Sequence, residues 1–410
     1  MFARLSARQD DREYFVRSER LSGGERFALI VDVSGLPVPL PNQWALLIRR
    51  PHVQFNTLKT DQRTIAHLYE WARRRSVDLD SRLATAKGLS PAELTALYQN
   101  LRYIRTFGRA AASDKLADVT DAKTVIGETH SARVGTVRDY LVWAMERILY
   151  RLEPGDPRAK EIRERINGIK RIAIEFQRPA SDSRPARKGL TADQLRRLIE
   201  IANPEHPQNP FQRPVRFRNM TLLILLLAFG FRRGESLKLY VSDVNVKGRR
   251  PSLTLVRRPD DPNDPRSEEP AVKTLGRVVY LGPDFARLLD AYIVHHRPQF
   301  PRSDESPFLF FSRSGKPLSL RMVNYICEQI ISCFPEFDGF LTPHVLRHTF
   351  NDLFIQSARE SGLSDDAIRQ AQNYANGWRL DSEQGSIYSR RTIEENAQAI
   401  SIAHQRMLFA

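Results

Sequence analysis

Residues 178–189, Arg-Pro-Ala-Ser-Asp-Ser-Arg-Pro-Ala-Arg-Lys-Gly, are rich in proline, serine and arginine and carry no hydrophobic period. Such a stretch has no apolar face to bury and reads as a flexible basic linker. It divides a chain of 410 residues into two parts, each long enough to enclose its own core.

Upstream, the pattern is helical from Asn56 onward. Asn56 is placed to cap a helix with Leu58, Ile65, Leu68 and Ala72 on one face. Ser90-Pro91-Ala92-Glu93 is a capping box with proline in the first turn, followed by Leu94, Leu97 and Leu101. Val134, Val137, Leu141, Ala144 and Ile148 repeat at three and four, as do Ile162, Ile166, Ile169 and Ala173. Four amphipathic helices over 53–177 predict a compact helical domain with exposed arginines, among them Arg73, Arg74, Arg75, Arg133 and Arg147. Residues 1–52 read as an N-terminal extension. In it Phe27–Val31 and Trp44–Ile48 bracket the proline-rich 37–41 and predict short strands, or a strand and a helix.

Downstream, 190–410 reads as one larger domain. Thr191 with Gln194 starts its first helix through a capping box. A buried helix is expected near 217–230, strands at 252–256, 271–274 and 277–281, and helices near 283–296, 319–332, 343–361, 364–376 and 392–408. The acidic, proline-containing insert 259–270 reads as a solvated hairpin loop. The fold class expected is mainly α with a small antiparallel β-sheet (α+β).

Charge narrows the partner. The chain has 63 Lys and Arg against 48 Asp and Glu, a net charge of +15. Each phosphate a cation neutralises releases condensed counterions, so this balance favours a polyanion, with nucleic acid ahead of an anionic membrane. The longest apolar run, Leu222 to Phe231, is about half the ~20 residues a membrane helix needs. The start Met1-Phe2-Ala3-Arg4 shows no signal-peptide pattern. Two cysteines, Cys327 and Cys333, give no disulfide framework and suit a reducing cytoplasm.

Four separated clusters could carry chemistry. Gly230-Phe231-Arg232-Arg233-Gly234-Glu235 follows the apolar helix, and Arg232 and Glu235 are spaced to meet on one helical face. A structural ion pair is the plainer reading of that pair. Lys273, in Val272-Lys273-Thr274-Leu275-Gly276-Arg277, precedes a glycine turn between two strand patterns; a hairpin tip can carry a lysine into a DNA groove, or simply expose it to water. In Thr342-Pro343-His344-Val345-Leu346-Arg347-His348, His344 and Arg347 share a face, which also suits a packed histidine beside a surface arginine. Gly377-Trp378 is followed by Tyr388-Ser389-Arg390-Arg391 in a polar stretch before the last helix.

In this order, Arg-x-x-Glu, hairpin Lys, His-x-x-Arg, His/Trp and Tyr, the clusters resemble the tyrosine recombinase (phage integrase) family. The resemblance spans 190–410, and the 53–177 domain resembles that family's helical core-binding (SAM-like) domain. It implies that Arg232 and Arg347 bind phosphate, Glu235 supports them, Lys273 is the hairpin lysine, His344 and Trp378 fill the His and His/Trp positions, and Tyr388 is the nucleophile. The Trp378–Tyr388 interval is about one residue longer than usual in the family, Arg233-Gly234 replaces an aliphatic and a small polar residue, and 259–270 lengthens the approach to Lys273. Tyr374 is a fallback nucleophile that breaks the order.

The chemistry explains the residue types. A phosphodiester is already anionic and repels nucleophiles, and guanidinium forks that stay protonated can clamp its oxygens as charge grows. A tyrosine must lose a proton of pKa about 10; a cationic cluster eases that loss and His344 can accept the proton. Lys273 can protonate the leaving 5′-oxygen. A covalent 3′-phosphotyrosine stores the bond energy, so no metal and no nucleotide cofactor is expected.

The resemblance implies a site-specific recombinase or integrase of a mobile element, acting on double-stranded DNA with paired recombination sites as a homo-tetramer. A type IB topoisomerase-like relaxing enzyme and a catalytically inactive DNA-binding relative are the alternatives. Target sequence, integration against excision, the role of 1–52, accessory proteins and whether the C-terminal helix docks on its own domain or on a neighbour stay open.

Overall fold

The computed structural model describes residues 12–103, 124–177, 189–378 and 386–409, with 386–396 described by backbone alone. Its contacts divide the chain into two compact units, Met1–Arg184 and Pro185–Ala410. Residues 178–188 of the expected linker lie outside the described residues.

The first unit opens with an antiparallel hairpin, β1 (Tyr14–Arg20) and β2 (Arg26–Asp32), in register from Tyr14↔Asp32 to Arg20↔Arg26. Then follow α1 (Pro39–Trp44), one π-helical turn (Ala45–Arg49), α2 (Phe55–Arg74), α3 (Leu79–Ala84), α4 (Pro91–Asn100), α5 (Gly127–Leu149) and α6 (Arg158–Phe176). The hairpin expected to stand in an extension packs on α2: Ile30, Val38 and Trp44 share one core with Leu68, Leu97, Val137 and Ile169. Asn42 locks it by bonding both the N–H and the carbonyl of Ile30 at 2.8 Å. Ser90 and Glu93 form the expected capping box. Asn56 does not cap, because α2 starts two residues earlier than such a cap would place it, at Phe55 after Gln54. Arg133, expected on the surface, is half-buried and donates at 2.9 Å to the carbonyls of Leu101 and Tyr103. The carbonyls at the end of α4 have no further turn to bond them, and the guanidinium takes them up.

The second unit starts with α7 (Ala192–Ala202), capped by the Thr191–Gln194 box, and α8 (Arg216–Phe229). Every residue from Thr221 to Phe229 is buried, which is why that run is apolar on all sides. A short α9 (Arg233–Leu237) leads to a three-stranded antiparallel sheet, β3 (Val244–Asn245), β4 (Ser252–Leu255) and β5 (Arg277–Tyr280), in the order β3-β4-β5. Then come α10 (Pro283–Ala291), α11 (Leu320–Cys333), α12 (Pro343–Glu360), α13 (Asp365–Asn376) and α14 (Ser386–Met407). The mainly helical class with small antiparallel sheets is as expected.

Three expectations for this unit are corrected. Residues 271–274 form no strand; β5 starts at Arg277 and pairs only with β4. Ala271 is drawn instead against α9, where its carbonyl lies 2.5 Å from the position a Cβ on Gly234 would take. The insert 259–270 is not a solvated loop either. Asp261, Asp264 and Glu269 are buried around the equally buried Lys238. The Lys238 ammonium stands 3.0 Å from Asp261 and 3.4 Å from Asp264, and closer still to Glu269. Charges compensated in this way can leave water together.

The last helix begins at Ser386, earlier than expected, so Tyr388 falls in its first turn rather than before it. From Ala397 onward α14 docks on its own domain: Ala397 and Ile400 pack with Phe350, Phe354 and Ile368. Two glutamines one heptad apart cover the free edge of β5. Gln398 accepts from the Tyr280 N–H (2.7 Å) and donates to the Val278 carbonyl (2.8 Å). Gln405 accepts from the Gly282 N–H (2.7 Å) and donates to the Tyr280 carbonyl (3.1 Å).

Candidate active site

The site is built where α8 stops. Gly230 ends α8 in a left-handed conformation, φ 58°, which turns the chain so that Phe231 is buried and Arg232 caps α9. Glu235, fully buried on α9, accepts the Arg232 backbone N–H at 2.7 Å. Its two oxygens are the point of convergence. Nη1 of Arg232 lies 3.9 Å from Oε1, and Nη1 of Arg347 lies 4.0 Å from Oε2. The two residues are far apart in sequence and reach one carboxylate from α9 and α12.

Arg347 is buried. It donates from Nη1 to the Gly230 carbonyl and from Nη2 to the Asn376 carbonyl (3.4 Å), and its guanidinium carbon lies 5.5 Å from the centre of the Trp378 ring. Burial, then the neighbouring Arg232 charge, pushes its pKa down to about 9, against the pull of Glu235. It therefore still carries its charge at neutral pH, and an anion seated beside it would favour that charged form. Nη1 of Arg232 is buried with no hydrogen-bond partner, while the side chain as a whole is 36% exposed. One guanidinium of the pair is thus partly exposed and carries a buried nitrogen with no hydrogen-bond partner, and the other is held by two backbone carbonyls.

Trp378 follows Gly377, which ends α13 with φ 63°. The indole is 38% exposed. A buried amide cluster ties α13 to α12: Asn376 donates to the Asn351 side chain at 2.7 Å, and Asn351 donates to the Arg347 carbonyl at 2.8 Å. His344 stands exposed in the first turn of α12, edge-to-face with His348 at 4.6 Å. Lys273 is exposed in the loop before β5. The side chain of Tyr388 lies outside the described residues. The fallback Tyr374 donates its hydroxyl to the Val278 carbonyl at 3.2 Å, so that group is engaged in packing α13 on β5.

The structure therefore joins Arg232, Glu235, Arg347 and Trp378, with Lys273 on the neighbouring loop. It also adds residues that sequence reasoning did not pick out. Arg277, fully buried, stands 3.4 Å from Glu235 and 5.4 Å from the Phe231 ring, and Thr274 donates its hydroxyl to the same carboxylate. One signal was available: Arg277 occupies the inward register of β5 with Val279, where an arginine is out of place unless paired. No helix among the described residues is long and apolar enough to cross a membrane.

A helical unit with a small sheet thus brings two guanidinium groups and an indole together around one buried carboxylate. Residues 188–378 match the model of the phage integrase family. Among curated proteins the chain is similar to tyrosine recombinase XerD of Mycobacterium tuberculosis, 28% identical over 178 residues, 42% of this chain and 50% of that protein. XerD of Staphylococcus epidermidis is 32% identical over 134 residues, 33% of this chain and 40% of that protein. The chain thus matches half or less of the length of these relatives. A solved structure of the Tn1549 transposon integrase with transposon right end DNA aligns over 87% of this chain and 99% of that one, at 14% identity and a TM-score of 0.48.

Proposed function

We propose that the protein is a site-specific DNA recombinase, an integrase of a mobile element, that breaks and rejoins double-stranded DNA through a 3′-phosphotyrosyl intermediate. The observation that carries this reading is the convergence of Arg232 and Arg347 on the buried Glu235.

In this reading a phosphodiester sits against both guanidinium groups, which hold its non-bridging oxygens as charge develops there. Donors of this kind contribute roughly 3–4 kcal/mol each in other enzymes. The Tyr388 oxygen attacks phosphorus in line, and its proton passes to His344 or a nearby base. The bond to the 5′-oxygen breaks, and Lys273 gives that oxygen a proton. Trp378 packs beside the phosphate and can donate its indole N–H. The products are a 3′-phosphotyrosine and a free 5′-hydroxyl. The reverse attack by a 5′-hydroxyl of another strand rejoins the DNA with no net change in bond type, so no nucleotide is consumed. Exchange between two duplexes calls for paired sites and a tetramer, acting in the cytoplasm.

The test is a nicked suicide substrate incubated with the full chain in EDTA. The expected result is a covalent protein–DNA adduct that Tyr388→Phe does not form. An adduct that persists in Tyr388→Phe refutes the nucleophile, and a requirement for metal refutes the mechanism. Relaxation of any supercoiled plasmid without strand exchange would make the enzyme a topoisomerase.

A further inference from the structure

We propose that Thr274 and Arg277 are positioning residues for Lys273, clamping its loop between the Arg232–Glu235 turn and the glycine that precedes Trp378. The proposal rests on the reading of Lys273 as proton donor to the leaving oxygen.

The lysine does not ride on a free hairpin tip. Val272 and Thr274 are buried and Lys273 between them is exposed, the alternation of an extended segment. Turning Thr274 inward therefore turns Lys273 outward. The Thr274 hydroxyl donates to Oε1 of Glu235. Nη1 of Arg277 reaches both partners, 3.2 Å from the Thr274 hydroxyl and 3.4 Å from Oε1. Just before the lysine, the Ala271 carbonyl lies against Gly234. Just after it, the Leu275 N–H donates to the Gly377 carbonyl at 3.0 Å. A Cβ on Gly377 would stand 2.5 Å from Nη1 of Arg277 and 2.8 Å from the Thr274 Cβ, so this contact admits only glycine.

The arrangement has a chemical use. A lysine side chain has four rotatable bonds, and its ammonium finds a leaving oxygen only as well as its Cα is held. Glu235 is thus shared between two tasks: it orients Arg232 and Arg347, and through Thr274 it sets where the proton donor starts. Arg277 is buried between them with Nε and Nη2 lacking hydrogen-bond partners, a costly placement for a residue that merely fills space.

A substrate with sulfur in place of the bridging 5′-oxygen separates positioning of the proton donor from general damage. A thiol has a pKa of about 8.5, so a thiolate leaves without being protonated. Single-turnover cleavage of matched 5′-oxygen and 5′-sulfur suicide substrates is measured for the wild-type chain, Lys273→Ala, Thr274→Val, Thr274→Ser and Arg277→Met. Lys273→Ala should lose about 100-fold or more on oxygen, as general acids typically supply, and recover most of that loss on sulfur. Thr274→Val and Arg277→Met should lose about 10- to 100-fold on oxygen, the scale of an ångström-sized misplacement, and recover on sulfur. Thr274→Ser, which keeps the hydroxyl, should stay within about threefold of wild type on both. Equal losses on the two substrates for Thr274→Val, or no loss on oxygen, overturn the proposal. If Arg277→Met does not fold, the Thr274 pair decides alone. If Lys273→Ala itself shows no sulfur recovery, the lysine's assignment fails and the proposal with it, while adduct formation by the wild type still reports on the recombinase reading separately.

Discussion

Arg347 donates from Nη1 to the carbonyl of Gly230, 117 residues earlier in the chain. The bond joins the end of α8 to the first turns of α12. It works only because Gly230 is left-handed. A helical residue there would aim its carbonyl along α8, and Arg232 would continue the helix instead of capping α9. The two guanidinium groups are thus set by one backbone reversal.

Replacing Gly230 by alanine tests this directly. A Cβ at that position would lie 2.2 Å from the Phe350 ring, at a φ of +58°. The left-handed conformation costs a non-glycine residue roughly 1–2 kcal/mol, and overpacking a core adds roughly 1–3 kcal/mol. Gly230→Ala should therefore lose about 2–5 kcal/mol in urea denaturation. An unchanged midpoint would mean that the turn tolerates a side chain and is not what fixes the pair.

Removing the charge of Lys238 should have an effect that depends on pH in an unusual direction. Burial alone would push the Asp261 and Asp264 carboxyls up. The Tyr240 hydroxyl and Lys238 at Asp261, and Arg266 with Lys238 at Asp264, hold both below the ordinary range. In the native chain their contribution is present above the unfolded pKa of about 4 and is lost as pH falls through the lower folded values. Lys238→Met leaves Arg266 at Asp264 but removes the cation that Asp261 and Glu269 share with it, and breaking a buried pair in this way typically costs about 3–5 kcal/mol. Protonating one of those carboxylates relieves the loss. The variant should be less destabilised at pH 5 than at pH 8 when compared with wild type by thermal unfolding. Equal destabilisation at both values would show that packing, not charge, is what the lysine supplies.

That network also shows where sequence reading reaches its limit. The apolar period marked α2, α5, α6 and α8, and the Ser90 and Thr191 boxes marked helix starts, because each of those signals is local. Arg232, Glu235, Arg347 and Trp378 were legible from their order along the chain. The 259–270 insert looks solvated in sequence because polarity predicts exposure only for charges without partners, and its partner Lys238 lies more than twenty residues away. Thr274 and Arg277 are hidden in the sequence for the same reason: their partner, Glu235, is about forty residues upstream. Residues 271–274 look like a strand, yet their neighbours are a helix turn and a glycine rather than another strand.

Gln398 and Gln405 replace a missing strand at the edge of β5. Together they satisfy the N–H groups of Tyr280 and Gly282 and the carbonyls of Val278 and Tyr280. An open edge is a template for pairing with another chain. The double variant Gln398→Leu, Gln405→Leu keeps similar volume and leaves those groups without partners, each costing about 1–3 kcal/mol if it stays buried. The amides of Tyr280 and Gly282 should lose protection in hydrogen exchange, and the protein should self-associate more readily. Protection equal to wild type would mean that the apolar face of α14 holds the helix down without them.

His404 makes the docking of α14 sensitive to acid. It is fully buried, its Nε2 lies 2.8 Å from the Leu227 carbonyl, and its ring meets Phe350 edge-on at 5.4 Å. Burial pushes its pKa down to about 4, partly offset by the bond to Leu227. The unfolded chain, with an ordinary histidine pKa of about 6.5, binds the proton first. Stability from this group is therefore complete above about pH 6.5 and declines as pH falls toward 4. The slope is about 1.4 kcal/mol per pH unit, up to roughly 3 kcal/mol in all. His404→Gln keeps a donor toward Leu227 and removes the titration. At pH 7.5 it should be less stable than wild type, having lost the ring contact with Phe350. In urea denaturation at pH 5.0 the gap should close by about 2 kcal/mol, because only the wild type has begun to lose this stability over the intervening 1.5 units below 6.5. Parallel stability curves for the two proteins would mean that the buried imidazole does not resist protonation, and that acid acts on this domain through other groups.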